Sequence, residues 1–167
     1  MEDMVTGLLT LAKLEDRDHD SGHVVDLDDV VLAEVKRARR ADGPEIDASR
    51  VGAGQVPGEA ILYAQMVRNL LSNAARHART RVEVSLREEE DRVRLVIADD
   101  GAGIPADQRE RVFGRFVRLD DARARDAGGS GLGLAIVAKV AASAGGTVEV
   151  DDSPHGGARF TITLPVA

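Results

Sequence analysis

The 167-residue chain carries 22 Lys and Arg against 29 Asp and Glu, 4 His and no Cys, for a formal charge of −7. A chain of this length buries roughly 70 % of the surface its unfolded form exposes, so one core holds it without disulfide or metal staples, and the lack of Cys removes thiol catalysis, Cys-ligated zinc and any thiol redox switch. The acidic balance argues against a nucleic-acid partner, and the chain has neither an apolar run of about 18 residues nor a basic-then-apolar leader, so no membrane segment in this chain and a cytoplasmic place are expected.

Residues 1–16 put Met1, Met4, Val5, Leu8, Leu11 and Ala12 on one helical face. Such a stripe needs a second helix to cover it, so the segment reads as the end of a longer helical hairpin, with a homodimer through residues 1–16 as a consequence. The other reading is an N-terminal helix packed on its own domain. A linker is expected over residues 17–23 and a single domain over 24–167. Residues 27–40 predict an amphipathic helix capped by Asp26 or Asp28 and ended by Gly43 and Pro44. Residues 45–48 read as a short strand and 59–77 as the longest helix, with Ile61, Leu62, Met66, Leu70 and Ala74 as its buried stripe. Residues 80–86 and 92–98 alternate as a hairpin about a charged tip at 87–91. A short helix is expected over 105–116, opened by Pro105, then an aperiodic charged loop over 118–129. A helix over 132–144 and strands over 147–150 and 158–164 close the chain. Strands beside long helices without βαβ alternation predict an α+β, two-layer α/β sandwich, with helices on one face of a mixed, mostly antiparallel sheet.

Three segments carry chemistry. Asp99, Asp100, Gly101, Ala102, Gly103 and Ile104 form one glycine-rich turn; Gly128, Gly129, Ser130, Gly131, Leu132, Gly133 and Leu134 form a second that runs into a helix. Glycines let backbone N–H groups approach phosphate closely, and a helix N-terminus adds partial positive charge. Neither segment is a P-loop, because no Gly-Lys-Ser/Thr follows. In the long helix, Asn69 and Asn73 lie one above the other with Arg76 a turn beyond. An Asn oxygen is a hard neutral ligand suited to Mg²⁺, while the plainer reading is a solvent-facing polar stripe.

Together these segments resemble the ATP-binding (HATPase_c, Bergerat-type) domain of sensor histidine kinases, in the superfamily shared with gyrase, Hsp-type chaperones and MutL. Residues 69–77 resemble the N box, 99–104 the G1 box, 111–118 the F box and 129–134 the G2 box, in the family's order, and the likeness runs over about 24–166. Residues 1–16 resemble the end of the second helix of the dimerisation and phosphoacceptor hairpin. The resemblance implies ATP and Mg²⁺ as ligands, with Asn73 on the metal, Asn69 supporting it near the phosphates, and Asn69 and Arg118 as catalytic positions. Arg76 would meet the phosphates, His77 would pack beside adenine or ribose, and Asp99 would accept from the adenine amino group. Gly101, Gly103 and Ile104 would shape the pocket floor, residues 117–130 the lid, and Gly129, Ser130, Gly131, Leu132, Gly133 and Leu134 its phosphate-binding hinge. Phe113 and Phe116 are read as core anchors of the lid base.

Superfamily members that hydrolyse ATP commonly carry a glutamate general base one turn before the metal-binding Asn. Asn69 stands there, and an amide takes no proton from water at neutral pH, so hydrolysis by this chain alone is not expected. His19, His23, His77 and His155 are followed by Asp20, Val24, Ala78 and Gly156, unlike the family's phosphoacceptor motif. The chain is therefore expected to hold the kinase without its acceptor, to phosphorylate a hairpin histidine outside these residues, and to feed a response regulator. A nucleotide-dependent interaction module without phosphotransfer, and an anti-sigma-type serine kinase, are the alternatives.

Overall fold

Alternating burial builds the centre of the sheet: Val82, Val84 and Leu86 on one strand and Val93, Leu95 and Ile97 on the next are all buried, while the residues between them are not. The computed structural model describes residues 2–16, 22–118 and 131–167. In chain order it contains α1 (Glu2–Glu15), β1 (Val24–Asp26), α2 (Leu27–Ala38), β2 (Glu45–Val51), β3 (Gln55–Pro57), α3 (Ala60–His77), β4 (Arg81–Glu89) and β5 (Arg92–Asp99). Two 3-10 turns (Ala106–Gln108 and Arg111–Phe113), α4 (Gly133–Ser143), β6 (Thr147–Asp152) and β7 (Ala158–Pro165) follow.

The five-stranded sheet runs β2-β4-β5-β7-β6, parallel between β2 and β4 and antiparallel elsewhere. Its apolar face, continued by Phe160, Ile162 and Leu164 of β7, is covered by Val31 and Val35 of α2, Met66, Val67, Leu70 and Leu71 of α3, and Val137, Val140 and Ala141 of α4. The opposite face is charged: Arg81 bridges Asp47 and Glu83, and Arg159 pairs with Asp151. This is the two-layer α+β sandwich that the patterning predicts. Beside it, β1 and β3 form a small antiparallel pair that the sequence reading did not include, tied by Gln55 Nε2 donating to Asp26 and Tyr63 Oη donating to the Pro57 carbonyl.

Several elements depart from expectation. The segment 105–116 is not one helix: Gln108 N–H bonds to Pro105 O and Gly114 N–H to Arg111 O, i→i+3 closures that leave two tight turns. Helix α2 stops at Ala38, well before Gly43, because Arg39 turns extended and donates Nη2 to the Ile46 carbonyl; Asp26 occupies the N-cap position without capping, its carboxylate being taken by Gln55. Ile61 is 73 % exposed, and the buried stripe of α3 is Tyr63, Met66, Val67, Leu70, Leu71 and Ala74. On α1 the buried face is Gly7, Leu11 and Leu14, with Gly7 close against Leu132 and Ile136 of the α4 region, while Met4, Val5, Leu8 and Leu9 are exposed. The helix therefore packs on the domain by one stripe and presents another outward. Of the expected linker, residues 17–21 lie outside the described residues.

Asp100 ties the end of α3 to the end of β5. Its carboxylate accepts from the Thr80 hydroxyl and from the backbone N–H groups of Arg79, Thr80 and Arg81. These donors, Thr80 foremost, hold its pKa well below the ordinary 3.8. A depressed carboxylate contributes stability that is complete above its unfolded pKa and is lost as pH falls toward the folded value. Asp100→Ala is thus expected to lower Tm at pH 7 by a few degrees, with the deficit narrowing below pH 3.8; scanning calorimetry across pH checks this, and a deficit that widens in acid contradicts it.

Candidate functional site

Helix α3 has two faces. Opposite its buried stripe, Gln65, Arg68, Asn69, Ser72, Asn73, Arg76 and His77 recur at i, i+3, i+4 and i+7 and form one wall of a cavity of about 360 Å³. That placement answers why two asparagines sit in mid-helix. Asp99, Ala102, Gly103 and Ile104 supply the floor with Ala158 of β7, and Val112, Val117 and Arg118 a second side. Gly131, Gly133, Leu134 and Ile136 bring the start of α4, and Thr6 and Gly7 of α1 close the rim.

The floor centres on Asp99, 2 % exposed. Its Oδ1 accepts from Gly101 N–H at 2.8 Å and Ala158 N–H at 3.4 Å. Three backbone segments meet here more closely than side chains allow: a Cβ on Gly101 would collide with the His77 carbonyl, and one on Gly157 with Asp99 Oδ1 and its carbonyl. Gly157 is a site-forming residue that the sequence analysis does not single out; its signal is the Gly156-Gly157 pair directly before the strand. Burial pushes the Asp99 pKa up, against the opposing pull of the two backbone donors and the nearby His77.

At the other end of the wall, Asn69 Nδ2 reaches the Gly133 carbonyl at 3.4 Å, so the amide of α3 abuts the first residue of α4. The N-cap residue of α4, Leu132, makes no side-chain cap, and the N-terminus of a helix is a place that suits an anion. Asp99 is the only carboxylate among the described lining residues, whereas Arg68, Arg76 and Arg118 are all cations of the wall. One buried acceptor, a line of neutral amide oxygens and several arginines are what a purine with a polyphosphate tail and its counter-cation require.

Of the residues singled out from sequence, Asn69, Asn73, Arg76, His77, Asp99, Gly103, Ile104, Arg118, Gly131, Gly133 and Leu134 line this one cavity. Gly101 lies beneath the floor. Leu132 is completely buried and faces Gly7 of α1, so its side chain serves the core and not the pocket. Gly129 and Ser130 lie outside the described residues, and of the expected lid over 117–130 only Val117 and Arg118 are described. Phe113 anchors in the core edge-on to Phe160, at 6.1 Å and 90°. Phe116 does not: its φ of 60° turns the ring outward to 54 % exposure while its N–H bonds Gly131 O, so it joins the F-box turn to the α4 hinge through its backbone.

The family model described as histidine kinase-, DNA gyrase B- and HSP90-like ATPase (HATPase_c) matches residues 58–167. The chain belongs to this family. Among curated proteins, HATPase_c relatives include the sensor-like histidine kinase SenX3 of Mycolicibacterium smegmatis, 35 % identical over 99 % of this chain and 44 % of its own length. The sensor protein RstB of Escherichia coli is 48 % identical over 63 % of this chain and 24 % of its own. The chain thus spans less than half the length of these relatives. The solved mycobacterial sensor histidine kinase MprB superposes with a TM-score of 0.78 at 37 % identity, covering 86 % of this chain and 98 % of that one. Full-length ShkA in complex with AMPPNP superposes at 0.82 and 27 % identity, over 99 % of this chain and 35 % of its own. These relatives are sensor histidine kinases by name, and no helix among the described residues of this chain is long and apolar enough to cross a membrane.

The raised pKa of Asp99 has a stability consequence. A carboxyl with a folded pKa above its unfolded 3.8 favours folding most when protonated, and that benefit is lost as pH rises through the folded value. Asp99→Asn keeps an oxygen for Gly101 and Ala158 and removes the buried charge. Its nucleotide-free Tm at pH 7 is expected to rise by a few degrees, with the gap closing as pH approaches 3.8; a Tm lowered at pH 7 contradicts this.

Proposed function

We propose that this chain holds ATP·Mg²⁺ with the adenine amino group on Asp99 and transfers the γ-phosphate to a histidine on a dimerisation and phosphoacceptor hairpin, which then supplies a response regulator. The observation that carries this reading is the buried Asp99 carboxylate in the cavity lining, with Oδ1 held by two backbone donors. Such a floor rewards an amino donor and leaves a purine carbonyl facing an unpaired carboxylate, which selects adenine over guanine.

From that floor the polyphosphate runs along α3. Asn73 would hold a Mg²⁺ ion through its side-chain oxygen and Asn69 would support it, neutral oxygen donors of the kind that hard cation accepts. When bound, the ion neutralises charge on the phosphates. Arg76 and Arg118 hold the phosphate oxygens from two sides of the cavity, and the N–H groups at the start of α4 do so from a third. In the transfer, an imidazole nitrogen of the acceptor forms the N–P bond with its lone pair while the bond from phosphorus to the β–γ bridging oxygen breaks and ADP leaves with the electron pair. Positioning and charge neutralisation are the protein's contribution. Asn69 in place of a carboxylate leaves water without a general base, so the phosphoryl group is kept for the imidazole. The outward stripe of Met4, Val5, Leu8 and Leu9 is the surface on which α1 would meet the rest of its hairpin.

Calorimetric titration with a non-hydrolysable ATP analogue, with and without Mg²⁺, tests the pocket. Binding is expected in the chain as it stands, lost in Asp99→Ala, and stripped of its Mg²⁺ dependence in Asn73→Ala. With γ-labelled ATP, acid-labile label is expected on an added hairpin bearing the acceptor histidine and not on this chain; label on neither, despite binding, favours a nucleotide-dependent interaction module.

A further inference from the structure

Buried carboxylates are rare unless paired, and Glu34 of α2 is only 3 % exposed. Its Oε2 takes Arg68 Nε at 3.2 Å, and its Oε1 takes Arg68 Nη2 at 3.1 Å and Arg37 Nη1 at 2.9 Å. This side-on fork occupies one edge of the Arg68 guanidinium and turns the Nη1 edge away from the carboxylate. Arg68 is also a residue of the cavity wall, with its side chain 58 % exposed. A tie between α2 and α3 needs neither feature, since a well-packed apolar pair joins two helices at least as firmly as a buried ion pair.

Position along α3 indicates what the oriented edge meets. His77 and Asp99 mark the adenine end; Arg68, nine residues before His77, lies roughly 13 Å along the helix axis from it, past Asn73 and Asn69. Gln65, Ser72 and, from α1, Thr6 flank it on the wall. We propose that Arg68, oriented by Glu34, binds the terminal phosphate of the nucleotide at the transfer end of the cavity. Arg68 then joins Arg118 at the terminal phosphate, while Arg76, a turn or two nearer the adenine end, meets the inner phosphates, and Glu34 is the positioning residue of Arg68. The charge that accumulates on the phosphoryl oxygens during transfer meets a fork already held in place, with no side chain to order at that moment. This inference rests on the ATP reading of the cavity and adds to it the contact that distinguishes a triphosphate from a diphosphate.

The test is titration of the whole 167-residue chain with AMP-PNP and, separately, ADP, both with Mg²⁺, for the unaltered protein, Arg68→Gln, Arg68→Lys and Glu34→Gln. Arg68→Gln is expected to weaken AMP-PNP about tenfold and leave ADP within about twofold. Arg68→Lys, which keeps the charge without the fork, recovers part of the loss. Glu34→Gln weakens AMP-PNP selectively by a smaller factor, and it carries the comparison if Arg68→Gln melts below the assay temperature. Equal weakening of both nucleotides, or no change in either, overturns the proposal and leaves Arg68 as a tie between α2 and α3. Failure of the unaltered chain to bind ADP at all overturns the nucleotide reading itself, and this inference with it.

Discussion

The structure turns on one close approach, that of β5, β7 and the end of α3 around the Asp99 carboxylate. A carboxylate so deeply buried is unfavourable to the fold on its own, and two backbone N–H groups on a single oxygen offset only part of that cost. What permits the arrangement is the absence of side chains where Gly101 meets the His77 carbonyl and where Gly157 meets Asp99. Asp100, the next residue, gathers the N–H groups just after α3 and so fixes the helix against the same strand end. Stability is given up at Asp99 and recovered one residue on, and the floor of the cavity lies between.

From that fixed point α3 acts as a ruler. Its apolar stripe sits on the sheet, and its polar stripe carries the amides and cations outward from the Asp99 floor at 1.5 Å per residue. The rest of the cavity is set by what abuts this stripe: Gly133 against Asn69, the F-box turn joined to Gly131 by the Phe116 N–H, and Gly7 of α1 packed on Leu132 and Ile136. Contact between α1 and the start of α4 means that α1 touches the element proposed to receive the phosphates. Phosphoryl transfer needs placement more than covalent help, and a rigid helical wall supplies placement.

Much of this was legible in sequence because it is local. Asn69, Asn73 and Arg76 announce a shared helical face by spacing alone, and the alternation of Val82 to Leu86 and Val93 to Ile97 announces a hairpin. What was not legible depends on distant partners. Gly157 matters only because Asp99, far away in the chain, is folded against it; Arg68 reads as one more surface arginine until Glu34 is seen beneath it. The β1 and β3 strands are three residues each and too short to show a period. Phe116 looked like a core anchor by residue type, and its backbone geometry overrode that. On α1 the spacing shows the apolar stripe that Met4, Val5 and Leu8 leave exposed, but not the second contact through Gly7 and Leu14, because Gly7 packs closely and carries no hydrophobic signal.

The most direct test of the account is a crystal structure of this chain with AMP-PNP and Mg²⁺. The adenine amino nitrogen is predicted within hydrogen-bond distance of Asp99, the ion on the Asn73 oxygen, and the phosphates running along α3 away from His77. A nucleotide bound with its base elsewhere in the cavity, or with Asp99 facing anything other than an amino donor, would contradict it.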